Sequence, residues 1–145
     1  MAVSVSRILN EKGWKVFTVE ASAPLQSVID MLAEHRVGVL VVTSGGQLAG
    51  IISERDVIGA LSGNAAAAIG KTAADVMTRS LETCTPDESE GSLMERMNAK
   101  GVRHLPVLAD GKLAGIVSMR DVVKLRIEKI DEMMRAIRQD ADLLK

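Results

Sequence analysis

The sequence predicts a mixed α/β fold (α+β in layering): two β-α-β-β-α repeats packed about a pseudo-two-fold axis, with an extended C-terminal helix. Two observations carry that prediction. Gly50-Ile51-Ile52-Ser53-Glu54-Arg55-Asp56-Val57 returns 65 positions later as Gly115-Ile116-Val117-Ser118-Met119-Arg120-Asp121-Val122, and nine of the twelve positions from Gly46 to Val57 are identical in the two copies. Around each copy, short β-branched runs alternate with amphipathic helical stretches. Two copies are too few for a solenoid. The halves are therefore expected to pack on each other and leave clefts where they meet.

Taken in order, Ser4 to Leu9 reads as a short helix capped by Ser4, followed by a polar turn through Asn10, Glu11, Lys12 and Gly13. Val16 to Val19 has the β-branched and aromatic content of a strand. Pro24 then opens a helix with Leu25, Val28, Ile29 and Leu32 on one face, ended by His35 and Arg36. Val37 to Val42 is short and branched enough to be a buried strand, and Ser44-Gly45-Gly46-Gln47 turns it back into Leu48 to Ile52 as a hairpin. Glu54 to Leu61 continues as a helix, and Ser62-Gly63-Asn64 breaks it.

A linker from Ala65 to Gly70 leads through Lys71 and Thr72 to a helical turn at Ala73 to Met77. The second repeat then places a strand at Leu81 to Thr83, a helix at Ser92 to Ala99 with Leu93, Met94 and Met97 inward, and a hairpin of Leu105 to Leu108 with Leu113 to Val117. Asp121 starts the last helix. The division is a first repeat with its N-terminal helix over 1–64, a linker over 65–79, and a second repeat with its long helix over 80–145. Along that helix Val123, Ile127, Ile130, Met134, Ile137, Ala141 and Leu144 recur at alternating spacings of 4 and 3. Such a heptad seam wants a cover, either a partner helix from a second copy or the helix's own domain.

Composition narrows the function. At 145 residues the chain suits one compact body with its own core. A net charge of −1 and 1% aromatic residues argue against nucleic acid as a partner, which calls for a basic face or stacking platforms. One cysteine, Cys84, with His35 and His104 far apart, offers no disulfide and no metal-ligand spacing, and points to a reducing, cytoplasmic setting. No leader pattern or membrane-spanning run is visible. Gly70-Lys71-Thr72 looks like the end of a phosphate-binding loop, but the glycine that loop needs five residues earlier is Ala65, so Thr72 reads as a helix cap. With no nucleophile elbow, no Cys beside an orienting His and no paired carboxylates, the chain is read as non-catalytic.

The repeated motif carries the chemistry that remains. Ser-x-x-Asp ahead of an apolar helix is a capping-box variant, with Ser53 and Ser118 at N-cap and Asp56 and Asp121 at N3. A cap of this kind is worth about 1 kcal/mol by itself. It also creates an anion-friendly helix terminus. Beside it, Arg55 and Arg120 suit phosphate, while the Asp carboxylates suit the hydroxyls of a sugar diol.

On these residues the chain resembles a tandem pair of CBS domains, a Bateman module. The marks are Gly50-Ile51-Ile52-Ser53-Glu54-Arg55-Asp56, Gly115-Ile116-Val117-Ser118-Met119-Arg120-Asp121, Arg103-His104-Leu105-Pro106-Val107 and Asp75-Val76-Met77-Thr78, within a likeness running from Val16 to about Leu125. The resemblance implies clefts that bind adenosyl compounds, AMP or NAD foremost, with ADP, ATP and S-adenosylmethionine also in the class. It implies that Asp56 and Asp121 hold ribose hydroxyls, and that Ser53 and Ser118 with Arg55 and Arg120 lie near phosphate. Thr18 and Thr83 fall where the adenine pocket is lined, and His35, Arg36, Arg103 and His104 fall where relatives place phosphate-contacting basic residues. Because Arg103-His104 stands where the first copy has Gly38-Val39, the two clefts are expected to differ. A homodimer signalling energy or redox state to an effector protein follows as the implied function, with a ligand-free dimeric scaffold as the alternative.

Overall fold

The computed structural model describes residues 3–143. The elements run α1 (Val5–Lys12), β1 (Thr18–Glu20), α2 (Leu25–His35), β2 (Val39–Ser44), β3 (Gln47–Ser53), α3 (Glu54–Leu61), α4 (Ala65–Ala68), α5 (Ala73–Val76), α6 (Glu90–Lys100), β4 (His104–Ala109), β5 (Lys112–Ser118) and α7 (Met119–Leu143). The duplication seen in sequence holds atom by atom in the hairpins. Val39 pairs with Ser53 as His104 pairs with Ser118, and each hairpin carries one register shift, between Val42 and Thr43 and between Val107 and Leu108. The helices between strands also match: α2 and α6 each end on a left-handed residue, Arg36 at φ 54° and Gly101 at φ 66°.

One expected strand is missing. The first repeat forms a three-stranded sheet with β1 parallel to β2, but Leu81 to Thr83 form no strand, and only a bridge from Cys84 to Val107 remains beside the β4–β5 hairpin. Proline accounts for the loss. In the first repeat the ladder is extended by the Val41 N–H donating to the Phe17 carbonyl (3.1 Å) and the Ala21 N–H donating to the Thr43 carbonyl (2.8 Å). The residues 65 positions on from these two donors are Pro106 and Pro86, neither of which has an N–H. The bonds around Cys84 alone survive, to Pro106 and from Leu108.

The lead-in helices are exchanged between the repeats. Helix α5, which precedes the second repeat in sequence, docks on the first: Leu25 N–H donates to Lys71 O, Ala73 N–H to Ala23 O and Ala74 N–H to Ala21 O, each at 2.9 Å. Helix α1, which precedes the first repeat, docks on the second through the equivalent bonds from Glu90 to Val3, Val5 to Glu88 and Ser6 to Pro86. Ser4 stands at the N-cap of α1 as expected, but its side chain makes no capping bond, and it forms a bridge to Ser89 instead. The two cores follow this exchange. Val3, Val5, Ile8 and Leu9 join Leu93, Met97, Leu105, Val107 and Val117, while Ala68, Ala73 and Met77 join Leu25, Val28, Leu40 and Ile52.

The exchange also explains two glycines. A Cβ on Gly50 would lie 2.6 Å from the Thr78 carbonyl oxygen, so that position admits the docked segment only as glycine, and one on Gly115 would lie 2.9 Å from Leu9 Cδ1, which would have to shift. Glu90 occupies the place that Leu25 holds in the first repeat, and although buried it accepts from Arg126 at 2.8 Å and lies 3.6 Å from Lys129. No helix among the described residues is long and apolar enough to cross a membrane.

Past Leu125, no described residue of α7 is fully buried. Its heptad residues Val123, Ile127, Ile130, Met134 and Ile137 are all exposed, with Ile130 at 58% and Ile137 at 60%, so the helix's own domain does not cover the seam. Leu144 lies outside the described residues.

Candidate functional site

Both capping boxes form. The Asp56 N–H donates to Ser53 Oγ at 3.1 Å while the Ser53 N–H donates to Asp56 Oδ2 at 2.9 Å. In the second repeat the bonds are 3.1 Å from Asp121 N–H to Ser118 Oγ and 2.8 Å from Ser118 N–H to Asp121 Oδ2. Each cap commits one carboxylate oxygen, Oδ2, to the backbone and leaves Oδ1 for another partner. Thr72 likewise leads α5 as a cap, its N–H and hydroxyl both donating to Asp75 Oδ2, at 2.9 and 3.1 Å.

Around the second of these caps the two repeats meet in a cleft of about 250 Å³, lined from the first repeat by Val16, Phe17, Val37, Gly38, Val39 and Val41. The second repeat supplies His104, Ile116 and Ser118, and the stretch after α1 adds Lys12 and Lys15. The walls are apolar with polar groups at one end, the make-up of a small-molecule site. His35 stands behind this wall, not in it: its ring stacks on Phe17 with centroids 4.0 Å apart and planes at 13°. Lys15 Nζ lies 5.0 Å from the same ring centroid.

The other residues singled out in sequence fall into four groups. Asp121 adjoins the cleft through Lys12, whose Nζ is 2.6 Å from its Oδ2. Arg36, Arg55, Arg103 and Arg120 are exposed, and the Arg103 carbonyl accepts from the Met119 N–H at 2.8 Å as the Gly38 carbonyl accepts from Glu54 at 2.9 Å. Thr18 is exposed at the start of β1, whereas Thr83 is half-buried with its carbonyl accepting from the Arg96 guanidinium, which also binds Glu82 and Glu88. On the first repeat's cap, Asp56 Oδ1 receives the Thr78 hydroxyl at 3.5 Å and no other donor among the described residues.

The two Asp environments therefore differ, and a local cause is visible. Helix α1 runs on to Lys12, while α5 stops at Val76 and Met77 turns extended, sending Thr78 into a bridge with Ile51. Lys12, Lys15 and Phe17 were not flagged by the sequence because Lys12 lies 109 positions from Asp121 and sits in an ordinary polar turn. Only the exchange of lead-in helices brings them together.

Electrostatics at this end of the cleft are tuned by burial and by Lys12. Burial pushes the His104 imidazole below its ordinary value, the positive charges of Lys12 and Arg103 add to that, and Asp121 opposes them. For Asp121 burial acts upward, yet the Lys12 and Ser118 bonds together outweigh it and hold the carboxyl below the usual range. Burial raises the Cys84 thiol to about 12, so it stays protonated and is no nucleophile near neutral pH. Because folded His104 resists its proton while the unfolded chain takes one near 6.5, stability is expected to fall as pH drops through and below that value. Urea unfolding of wild type and His104→Gln between pH 7.5 and 5.5 checks this, with a smaller pH effect expected in the variant.

Apolar walls, a few polar groups and an adjoining helix cap have the make-up of a small-molecule site, and among the described residues no group of His, Cys, Asp and Glu could hold a metal. The CBS domain family model matches residues 5–63 and 73–128, and the chain belongs to that family as a tandem pair. A CBS-domain containing protein from Agrobacterium tumefaciens, ATU1752, is 36% identical with a TM-score of 0.81, covering 86% of this chain and 99% of that one. The CBS domain pair of MJ0100, solved in complex with 5′-methylthioadenosine and S-adenosyl-L-methionine, is 26% identical with a TM-score of 0.78, covering 89% and 99%. A mitochondrial CBS domain-containing protein of Arabidopsis thaliana, CBSX3, is 30% identical over 92% of this chain and 70% of its own length. The chain is a CBS-pair module of the regulatory kind.

Proposed function

We propose that this module is a non-catalytic sensor that binds an adenosine nucleotide, AMP or NAD, in the cleft between its repeats and reports occupancy to an effector protein. The observation that carries the reading is the Asp121 cap beside an apolar cleft made from both repeats. The adenine and ribose find apolar walls and a carboxylate oxygen, and the phosphates find Ser118, His104 and nearby lysines. The adenosyl ligands of the MJ0100 pair support the ligand class. Since the walls come from both repeats, a ligand that prefers one arrangement of them shifts the balance of arrangements, which an effector can read.

The test is calorimetric titration of ligand-free protein, prepared by unfolding and refolding, with AMP, NAD, ATP and S-adenosylmethionine. Micromolar binding of AMP or NAD is expected. Binding of none of the four, by protein shown to be folded, leaves the ligand-free scaffold as the function.

The same proposal includes a homodimer in a reducing, cytoplasmic setting, with a second copy covering α7. Ile58 on α3 and Val123 on α7 are equivalent positions of the two repeats, and both are exposed, at 66% and 42%. A face that repeats itself within one chain suits a self-complementary, two-fold interface, and the heptad seam extends it. Light scattering is expected to give a dimer for wild type and a monomer for the double variant Ile130→Asp, Ile137→Asp, with an unchanged far-ultraviolet circular dichroism spectrum because neither residue is buried in the monomer.

A further inference from the structure

We infer that Lys12 makes the Asp121 cleft selective for adenosyl ligands that carry a phosphate, over uncharged adenosine and over the cationic sulfonium of S-adenosylmethionine. This rests on the adenosyl reading above and goes beyond it by assigning the discrimination among adenosyl ligands to one residue, Lys12. Lys12 is the last residue of α1 and belongs to two spaces at once. It lines the 250 Å³ cleft together with His104 and Ser118, and it lines a smaller cavity of about 70 Å³ with Glu11, Asp121, Lys124 and Glu128. Its Nζ is 2.6 Å from Asp121 Oδ2, and Oδ1 of that carboxylate has no partner among the described residues.

The geometry divides the work. Asp121 can accept a sugar hydroxyl on Oδ1 without giving up Lys12, and an ammonium with three donors that spends one on Oδ2 keeps others for a ligand oxygen. The residues lining the cleft include two lysines and a histidine but no carboxylate. Outside that lining, Asp121 is paired with Lys12, the Glu54 carboxyl carbon would lie 3.8 Å from a Cβ on Gly38, and Glu11 and Glu128 line the smaller cavity. Lys15 is turned over the Phe17 ring, so Lys12 is the cation placed at the carboxylate that would hold the ribose. A phosphate next to such a ribose meets an ammonium, and a sulfonium in its place meets like charge. On the first repeat Asp56 has Thr78 in place of a cation, so the selectivity belongs to the Asp121 cleft alone.

The experiment compares AMP, adenosine and S-adenosylmethionine by calorimetry on the full chain, for wild type, Lys12→Met and Lys12→Arg. Wild type is expected to bind AMP at least about tenfold more tightly than adenosine, as a charge-assisted contact implies, with S-adenosylmethionine no tighter than adenosine. In Lys12→Met the AMP affinity falls to within about threefold of the adenosine affinity, which itself stays within about twofold of wild type, and Lys12→Arg keeps the AMP preference. An unchanged AMP-to-adenosine ratio in Lys12→Met overturns the inference. So does equal loss of both ligands, because Lys12 then only holds Asp121 in place. Wild type that binds none of the three ligands fails earlier, at the adenosyl reading itself.

Discussion

Asp121→Ala is expected to weaken AMP binding by about tenfold or more, because a hydrogen bond to a charged group is worth about 1.5–3 kcal/mol and 1.4 kcal/mol is tenfold in affinity. The same substitution removes the cap on α7 and the partner of Lys12, at 2.8 and 2.6 Å in the native protein, so stability falls too. Asp121→Asn separates the two roles. Its amide oxygen still accepts from the Ser118 N–H, so melting should fall less than in Asp121→Ala, while the lost charge should still cost affinity. Calorimetry and thermal unfolding of both variants check this. Unchanged AMP affinity in either variant would leave Asp121 as a helix cap and nothing more.

Gly50→Ala is expected to destabilise the fold by about 2–3 kcal/mol, and Gly115→Ala by about 1 kcal/mol, although the two glycines occupy the same place in the repeat. The difference lies in what each new methyl meets. At Gly50 it is the Thr78 carbonyl oxygen at 2.6 Å and Met77 Sδ at 2.8 Å. That carbonyl cannot withdraw freely, because Thr78 and Ile51 exchange backbone bonds of 3.1 and 2.8 Å. At Gly115 the obstacle is the Leu9 side chain, with Cδ1 at 2.9 Å, and a side chain yields more cheaply than backbone. Urea midpoints of the two variants decide it, and equal losses, or a larger loss at Gly115, would contradict the account.

Much of the architecture was legible because local rules and duplication reinforced each other. Ser53 and Asp56, and again Ser118 and Asp121, announced helix starts that the structure places at Glu54 and Met119. Gly45, Gly46 and Gly111 marked the hairpin turns, and all three adopt positive φ. Where the reading failed, at Leu81 to Thr83, the reason lay outside those three residues: a ladder needs donors on both sides, and neither Pro106 in the neighbouring strand nor Pro86 just after Cys84 supplies one. Propensity within the segment itself carries no record of that.

The site was legible only in part. The motif acids and serines stood out because they recur, and the structure puts His104 and Ser118 on a cleft wall with Asp121 beside them. His35 instead stacks behind Phe17, and Thr83 is engaged through its carbonyl by Arg96. Lys12 carried no signal at all.

What the sequence by itself determined is the repeat, the order of its elements and the two caps, since each depends on residues within a few positions of one another or on identity at a constant spacing. The tertiary structure alone decided which helix serves which repeat. Crossing α1 onto the second repeat and α5 onto the first buries their apolar faces against the β5 and β3 glycines, and that packing, not proximity in the chain, sets a lysine against the Asp121 carboxylate. Burial is shared among residues far apart in the chain, so the pairing that distinguishes Asp121 from Asp56 exists only once the chain has folded.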